Sequence, residues 1–538
     1  METMKEQLSR ILTTRFRTLC IIAAVIFTIL LSLNYSIGVI QTPPWLVYLG
    51  TVHYPVDYFY YLSLFTEGQT RWITSIDIYT HDFRQPMLLG FTNVLAGRIL
   101  SLLGFQPITA YQIALALFTF IVFLLVIRYL ETLYPTHKSG RLIAFFLFFV
   151  ANTFPGSGSF YANAAEPLVR FARVPHKMLG LIFMILPMYI MLKLQDNKPL
   201  LNNKFISYIL IAVSGIVAAN INPVQWLLVS FVLFGGFMWQ TLMNYSPGRA
   251  RPGLLITKNI LSPCIFFLAG FPMAVYLVKL FTIPPFSQST AWESLQQVSL
   301  TPLGFIQSFG PVVLLGFLGI PVFLKKMTLP RVFMILYFIL SILFFISPVS
   351  TITHSTNTRF LSAITILSAS ILATDFLIHI PIANRKKQFL IIWAIVIALG
   401  LYLIPSFVSQ YKRNANLALN NSYIYISKEA YQAFMETKKR TDMSDVILVT
   451  WPYEGSFPAL TGRRGYMGNP DQTINPDYKG GQAYDFFDAR VSDDAMHTFL
   501  TENGITYVLS NTSNTKIVKP FVVPVYQNAA LTLYKVLP

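Results

Sequence analysis

Residues 18–40 read TLCIIAAVIFTILLSLNYSIGVI, an uncharged apolar run behind the basic segment METMKEQLSRILTTRFR at 1–17. At ~1.5 Å per residue a helix of that length crosses a hydrocarbon layer about 30 Å thick. No small-residue cleavage site follows, so the run reads as an uncleaved first span with its N-terminus inside, rather than as a signal peptide. The whole chain has the same character. Of 538 residues 54% are hydrophobic and only 12% are charged, more apolar surface than a water-soluble globule can hide. Cys20 and Cys264 both lie in apolar runs and offer no disulfide framework.

Ten further apolar runs, at about 107–133, 141–153, 176–194, 205–220, 224–243, 258–280, 306–324, 331–348, 360–380 and 388–408, bring the expected number of transmembrane helices to about eleven. Some are short enough to be broken or tilted. Basic residues support the threading. The turns holding Lys138 and Arg141, Lys198 and Lys204, Arg249 to Lys258, Lys325 to Arg331, and Arg385 to Lys387 all fall on the inner side, as the positive-inside rule requires. Residues 1–408 therefore form a transmembrane domain with a first outer loop at 41–106. The tail, 409–538, lies outside the cytoplasm.

The formal net charge of +17 does not point to nucleic acid. Beyond Ser409 the 13 basic and 12 acidic residues nearly cancel, leaving 27 basic against 11 acidic residues in 1–408, gathered between the apolar runs. The tail has the rhythm of a small α/β domain. Ser427 to Thr441 reads as a helix, VILVT at 446–450 as a buried strand, Ser492 to Asn503 as a Ser-capped helix and ITYVLS at 505–510 as a second strand. Two more strands are expected near 519–525 and 530–536.

Charges on the outer side are the informative ones, because the positive-inside rule does not explain them. HYPVDYFYYLSLFTEGQ at 53–69 places Asp57 between a prolyl turn and a row of aromatics suited to the headgroup belt. Its plainer reading is a helix N-cap after Pro55. Residues 86–104 read as an amphipathic interfacial helix. Asp77, His81 and Asp82, with Glu166 further on, are side chains that could hold a divalent ion, although their spacing is nonspecific. In SGSFYANAAEPLVRFARVPHKMLG, 157–180, Arg170, Arg173 and Lys177 share one face if a helix runs through Pro175. If Pro175 instead opens the fourth span, its first turn supplies free amides to the same region. Either arrangement suits a phosphate. His354 and Arg359 stand in a third outer loop, 347–360. Snorkelling to headgroups is the structural alternative for each of these cations. No Gly-rich phosphate loop, CxxC pair, HExxH or GxSxG occurs.

An uncleaved first span, an acid soon after the membrane exit, alternating spans and an outer soluble tail resemble the GT-C superfamily of integral-membrane glycosyltransferases, in particular its uncharacterised bacterial members. PALTGRRGYMGNPDQTINPDYK, 458–479, is similar to a stretch of their outer domains, with Asn469 where a His is usual. The resemblance implies a GT-C-like helical domain in the cytoplasmic membrane and transfer of a sugar from a polyprenyl-phosphate carrier to a glycan, lipid or protein acceptor. Asp57 would be the catalytic base. The superfamily's commoner pair of adjacent acids is missing, since Tyr58 follows Asp57, which leaves a metal requirement open.

On this reading Arg170, Arg173, Lys177, His354 and Arg359 hold the donor phosphate, guanidinium forks meeting two oxygens at once. Arg463, Arg464 and Lys479 are candidates for binding the acceptor, and a solvated face explains them equally. Trp451, Tyr453 and Glu454 follow a strand end where a glycan could stack. The rivals are a flippase for lipid-linked glycans, an oligosaccharide ligase or polymerase, and a non-enzymatic envelope-assembly subunit. A transporter would carry charged or broken segments at mid-membrane depth, and most spans here do not. Asp375 and His379 lie near the inner end of the tenth.

Overall fold

The computed structural model describes residues 2–51, 54–82, 85–154, 167–171, 174–244, 252–382, 385–415 and 419–538. The chain is a polytopic membrane protein carrying a C-terminal sheet domain. It divides into two compact units: residues 1–31, 115–278 and 291–409 make the first, and residues 32–114, 279–290 and 410–538 the second. The sequence-based boundary at 408/409 separates the tail from everything before it, whereas here residues 32–114 pack with the tail.

Among the described residues, eight helices are long and apolar enough to cross a bilayer. All eleven expected places are helical. Lys138–Val150 has 13 residues and Ala363–Ile378 has 16, shorter than a perpendicular crossing needs. Only Leu390–Pro405 of the helix Arg385–Ala415 is apolar. Pro175 stands in the first turn of Pro175–Gln195, which Val174 caps with extended backbone, so the helix does not run through it from Arg170.

The first unit is built around one apolar core. One close helix approach there is made by a small residue. A Cβ on Gly319, in Pro302–Leu324, would stand 2.0 Å from the Leu372 carbonyl of Ala363–Ile378, the tight backbone packing that small residues permit between membrane helices. Ser362 opens Ala363–Ile378 with a reciprocal capping box closed by Thr365. Near its far end Asp375, fully buried, meets the Arg331 guanidinium at 2.5 Å and accepts the Tyr134 hydroxyl at 2.9 Å.

The second unit holds a five-stranded mixed sheet: β3 (Val446–Val449), β4 (Arg464–Gly465), β5 (Ile505–Asn511), β6 (Val522–Gln527) and β7 (Leu531–Val536), in the order β4-β3-β5-β7-β6. β3 runs parallel to β4 and β5, while β7 is antiparallel to both its neighbours. The parallel pairs need crossovers; the helices Pro476–Phe487 and Asp493–Glu502 lie between β4 and β5. Ser427 and Ser492 cap the helices Lys428–Arg440 and Asp493–Glu502, accepting from the amides of Ala430 and Ala495. A second ladder pairs β1 (Leu46–Tyr48) with β2 (Tyr425–Ser427). Against this frame lie Pro55–Glu67 and Phe91–Leu102, whose approach is so close that a Cβ on Gly97 would meet the Phe65 backbone at 2.6 Å.

Replacing Asp375 by Leu leaves the Arg331 charge buried without its partner and should cost about 3 kcal/mol. Thermal unfolding of the detergent-solubilised chain is expected at a clearly lower temperature than wild type; an unchanged midpoint would show that the ion pair contributes nothing.

Candidate functional site

Pro55–Glu67 begins abruptly. Tyr54, at φ 46°, is in the left-handed region, and Pro55 follows at the first helical position. Asp57 is accordingly not the cap, as the plainer sequence reading had it. It sits inside the first turn, where the helix dipole favours a carboxylate, and it is exposed. Buried aromatics hold the helix from below: Tyr58 donates to the Leu49 carbonyl at 2.6 Å, and the Tyr79 hydroxyl donates to Phe59 at 2.8 Å.

The tail closes over the same turn. Asn469 donates its side-chain amide to the Val56 carbonyl at 2.9 Å and accepts the Asp471 amide at 2.9 Å. Thr473 donates to Tyr79 at 2.9 Å, and the Gly465 amide donates to Ile78 at 2.9 Å. Asp471 stands near enough to Asp57 that, after burial, the Asp57 charge is the next influence raising its carboxyl above the usual range. No sequence signal had marked Asp471.

Behind this edge lies a cluster of buried ionisable groups. Glu67 accepts the Ile76 amide on Oε2 at 2.7 Å, and Asp77 accepts the Tyr79 amide at 2.9 Å. Oε1 of Glu67 and Oδ2 of Asp77 have no hydrogen-bond partner among the described residues. Burial pushes Glu67 up to about 8, against the pull of the Ile76 amide and the Arg71 charge. Burial likewise raises Asp77 to about 7, opposed by the Tyr79 amide, Arg464 and Lys479. Arg464 is itself buried in β4. Nearby Lys479, also buried, donates to Asp82, to Thr80 at 3.0 Å and to His81 at 3.1 Å.

That ammonium supplies the positive charge a metal would have brought to His81 and Asp82. Among the described residues, no group of three or more His, Cys, Asp or Glu side chains is placed to hold a metal ion, so Asp77, His81 and Asp82 do not form the ligand set considered from sequence. Glu166 lies outside the described residues, as does Arg173. Arg463 donates to the Lys438 carbonyl at 2.7 Å, finishing the helix Lys428–Arg440.

The remaining expected phosphate ligands belong to the first unit. Arg170 is buried, donates to the carbonyls of Phe148, Phe149 and Ala151 at 2.9, 3.2 and 3.1 Å, and lies over the Phe171 ring. It closes the C-terminus of Lys138–Val150 in place of the open anion contact expected. Lys177, His354 and Arg359 are exposed. Arg359 grips a residue that sequence reasoning passed over: its Nε and second terminal nitrogen donate to the two oxygens of Glu293 at 2.5 and 2.6 Å. Burial raises the Glu293 carboxyl, but the Arg359 charge and hydrogen bonds outweigh it and hold the group below its ordinary value.

Folded-state carboxyls raised to about 8 and 7 keep protons that the unfolded chain releases from about pH 4.5 upward. Stability present below that value is therefore lost as pH climbs towards 8. Amide protection of β3 and β5, corrected for intrinsic exchange, should fall at least about tenfold between pH 5 and 8 and fall less in Glu67→Gln. Constant protection would contradict the burial of a protonated pair.

No family model matches the sequence, and no curated protein matches it. Solved structures do. The archaeal oligosaccharyltransferase AglB from Archaeoglobus fulgidus, in complex with an inhibitory peptide and a dolichol-phosphate, is 13% identical and aligns over 93% of this chain and 70% of its own, with a TM-score of 0.54. An Archaeoglobus fulgidus oligosaccharyltransferase in complex with Zn and sulfate is 13% identical over 96% of this chain and 74% of its own, at 0.52. ArnT from Cupriavidus metallidurans, bound to undecaprenyl phosphate, is 12% identical over 97% of this chain and 98% of its own, at 0.49. The first two show that the chain shares the fold of these oligosaccharyltransferases, an architecture of the kind the sequence resemblance implies.

Proposed function

We propose that the chain is an inverting membrane glycosyltransferase that moves a sugar from a polyprenyl-phosphate-linked donor to an acceptor on the outer face of the cell membrane. The observation that carries this reading is Asp57: an exposed carboxylate fixed in the first turn of a helix that the Asn469 amide grips at Val56. Support for the substrate class comes from the fold, whose likeness spans 93% of the chain and reaches a protein complexed with dolichol-phosphate.

In the proposed reaction Asp57 takes the proton of the acceptor hydroxyl, and that oxygen attacks the anomeric carbon from the face opposite the phosphate. The bond from that carbon to the phosphate oxygen breaks, and polyprenyl phosphate leaves with the electron pair. Lys177 and Arg359 hold the leaving phosphate, with His354 on the same loop as Arg359. A guanidinium suits this task because it stays charged and presents paired donors. The basic turns support an inner N-terminus and a tail outside the cytoplasm. Transfer of a whole oligosaccharide from a diphosphate-linked carrier is the second reading, favoured by the likeness to an oligosaccharyltransferase.

General-base assistance is worth ~10² to 10⁴ in rate. In reconstituted vesicles supplied with polyprenyl-phosphate sugars, Asp57→Asn should lower kcat by about that factor and leave the donor KM close to wild type. Transfer at full rate would remove Asp57 from the mechanism, and turnover only with diphosphate-linked oligosaccharides would favour the second reading.

A further inference from the structure

Arg359 does not meet a ligand as an isolated cation. Its partner Glu293 lies on the helix Phe286–Leu295, and the Glu293 side chain is 19% exposed against 45% for Arg359. The neighbouring backbone fixes it there. Thr356 donates its hydroxyl to the Gln296 carbonyl at 2.7 Å, Gln297 donates to Ser355 at 2.8 Å, and Asn357 donates to Val298 at 2.8 Å. The loop that carries Arg359 is thus laced to the segment that carries Glu293. Lys177 is also close enough for its charge to act on Glu293.

Together these three described side chains, two cations and one acid, carry a formal charge of +1. A phosphodiester bears a single negative charge. A phosphate monoester bears close to two above its second pKa near 6, and an arginine–lysine pair without the acid would suit that dianion better. A carboxylate a few ångströms from the bound phosphate repels a dianionic monoester about twice as strongly as a monoanionic diester.

Resting on the phosphate reading of Lys177 and Arg359, we propose that Glu293 sets the charge preference of that site, weakening its hold on a dianionic phosphate monoester relative to a monoanionic phosphodiester. In the proposed transfer the donor is a diester and the lipid product a monoester. Glu293 would therefore favour capture of the one and release of the other.

The test measures binding to the full-length protein in neutral-lipid nanodiscs at pH 8, with farnesyl phosphate as monoester, methyl farnesyl phosphate as diester, and inorganic phosphate. Glu293→Gln should tighten the monoester about tenfold and the diester about threefold. Glu293→Asp keeps the charge while breaking the two-pronged geometry, so it should keep the wild-type ratio between the esters. If Glu293→Gln shifts both esters equally or neither, Glu293 is only a structural tie and the proposal is overturned. If Lys177→Gln and Arg359→Gln leave the binding of both esters intact, the phosphate reading itself has failed. Competition by inorganic phosphate only at large excess supports a lipid headgroup as the ligand; competition at equal concentration assigns the site to free phosphate and overturns that source.

Discussion

The side-chain amide of Asn469, donating to the Val56 carbonyl across 413 positions of sequence, fixes the turn on which the catalytic reading depends. A carboxylate is an efficient catalytic base when its position is set beforehand by rigid neighbours. Here the setting comes from the tail: Thr473 and Gly465 grip Tyr79 and Ile78, and the Thr66 hydroxyl donates to Ala459 at 2.5 Å. The first loop and the C-terminal sheet thus share one unit. Separating them would leave Asp57 on a helix of 13 residues, marginal in isolation.

Much of this was legible in the sequence. The apolar runs located the long apolar helices among the described residues, because burying or solvating apolar surface is the dominant force on such a chain. In the tail, VILVT, ITYVLS and the Ser-led helices appeared where the residues placed them, since strand alternation and caps are local signals. The short strand β4 and the helix Pro476–Phe487 were passed over. β4 is two residues long and exists only because β3 lies beside it, while Gly480 and Gly481 weaken the helix signal of the other.

Candidate site residues divided along the same line. Asp57 stood out because an acid among aromatics near a membrane exit is a local anomaly. The partners that decide each cation were invisible, because they come from distant sequence. Lys479 settles on Asp82, Arg170 on three carbonyls, and Arg359 on Glu293, 66 positions earlier. Cations that looked interchangeable in sequence therefore have different roles: Arg170 and Arg463 finish helices, Lys479 balances a buried edge, and Arg359 remains partly open.

Neutralisation is the common thread. A low-dielectric interior disfavours unpaired charge, so Asp375, Arg170 and Lys479 each meet a partner, while burial pushes Glu67 and Asp77 towards their protonated forms. The central claim, a fixed base in the same enzyme as a phosphate-binding cation pair, is tested most directly by an experimental density map of the chain with a polyprenyl phosphate bound. The phosphate is expected within hydrogen-bond reach of Arg359 and Lys177, with the Asp57 carboxylate open towards the space a sugar would occupy. A phosphate seated elsewhere, with Asp57 turned away from it, would contradict the account.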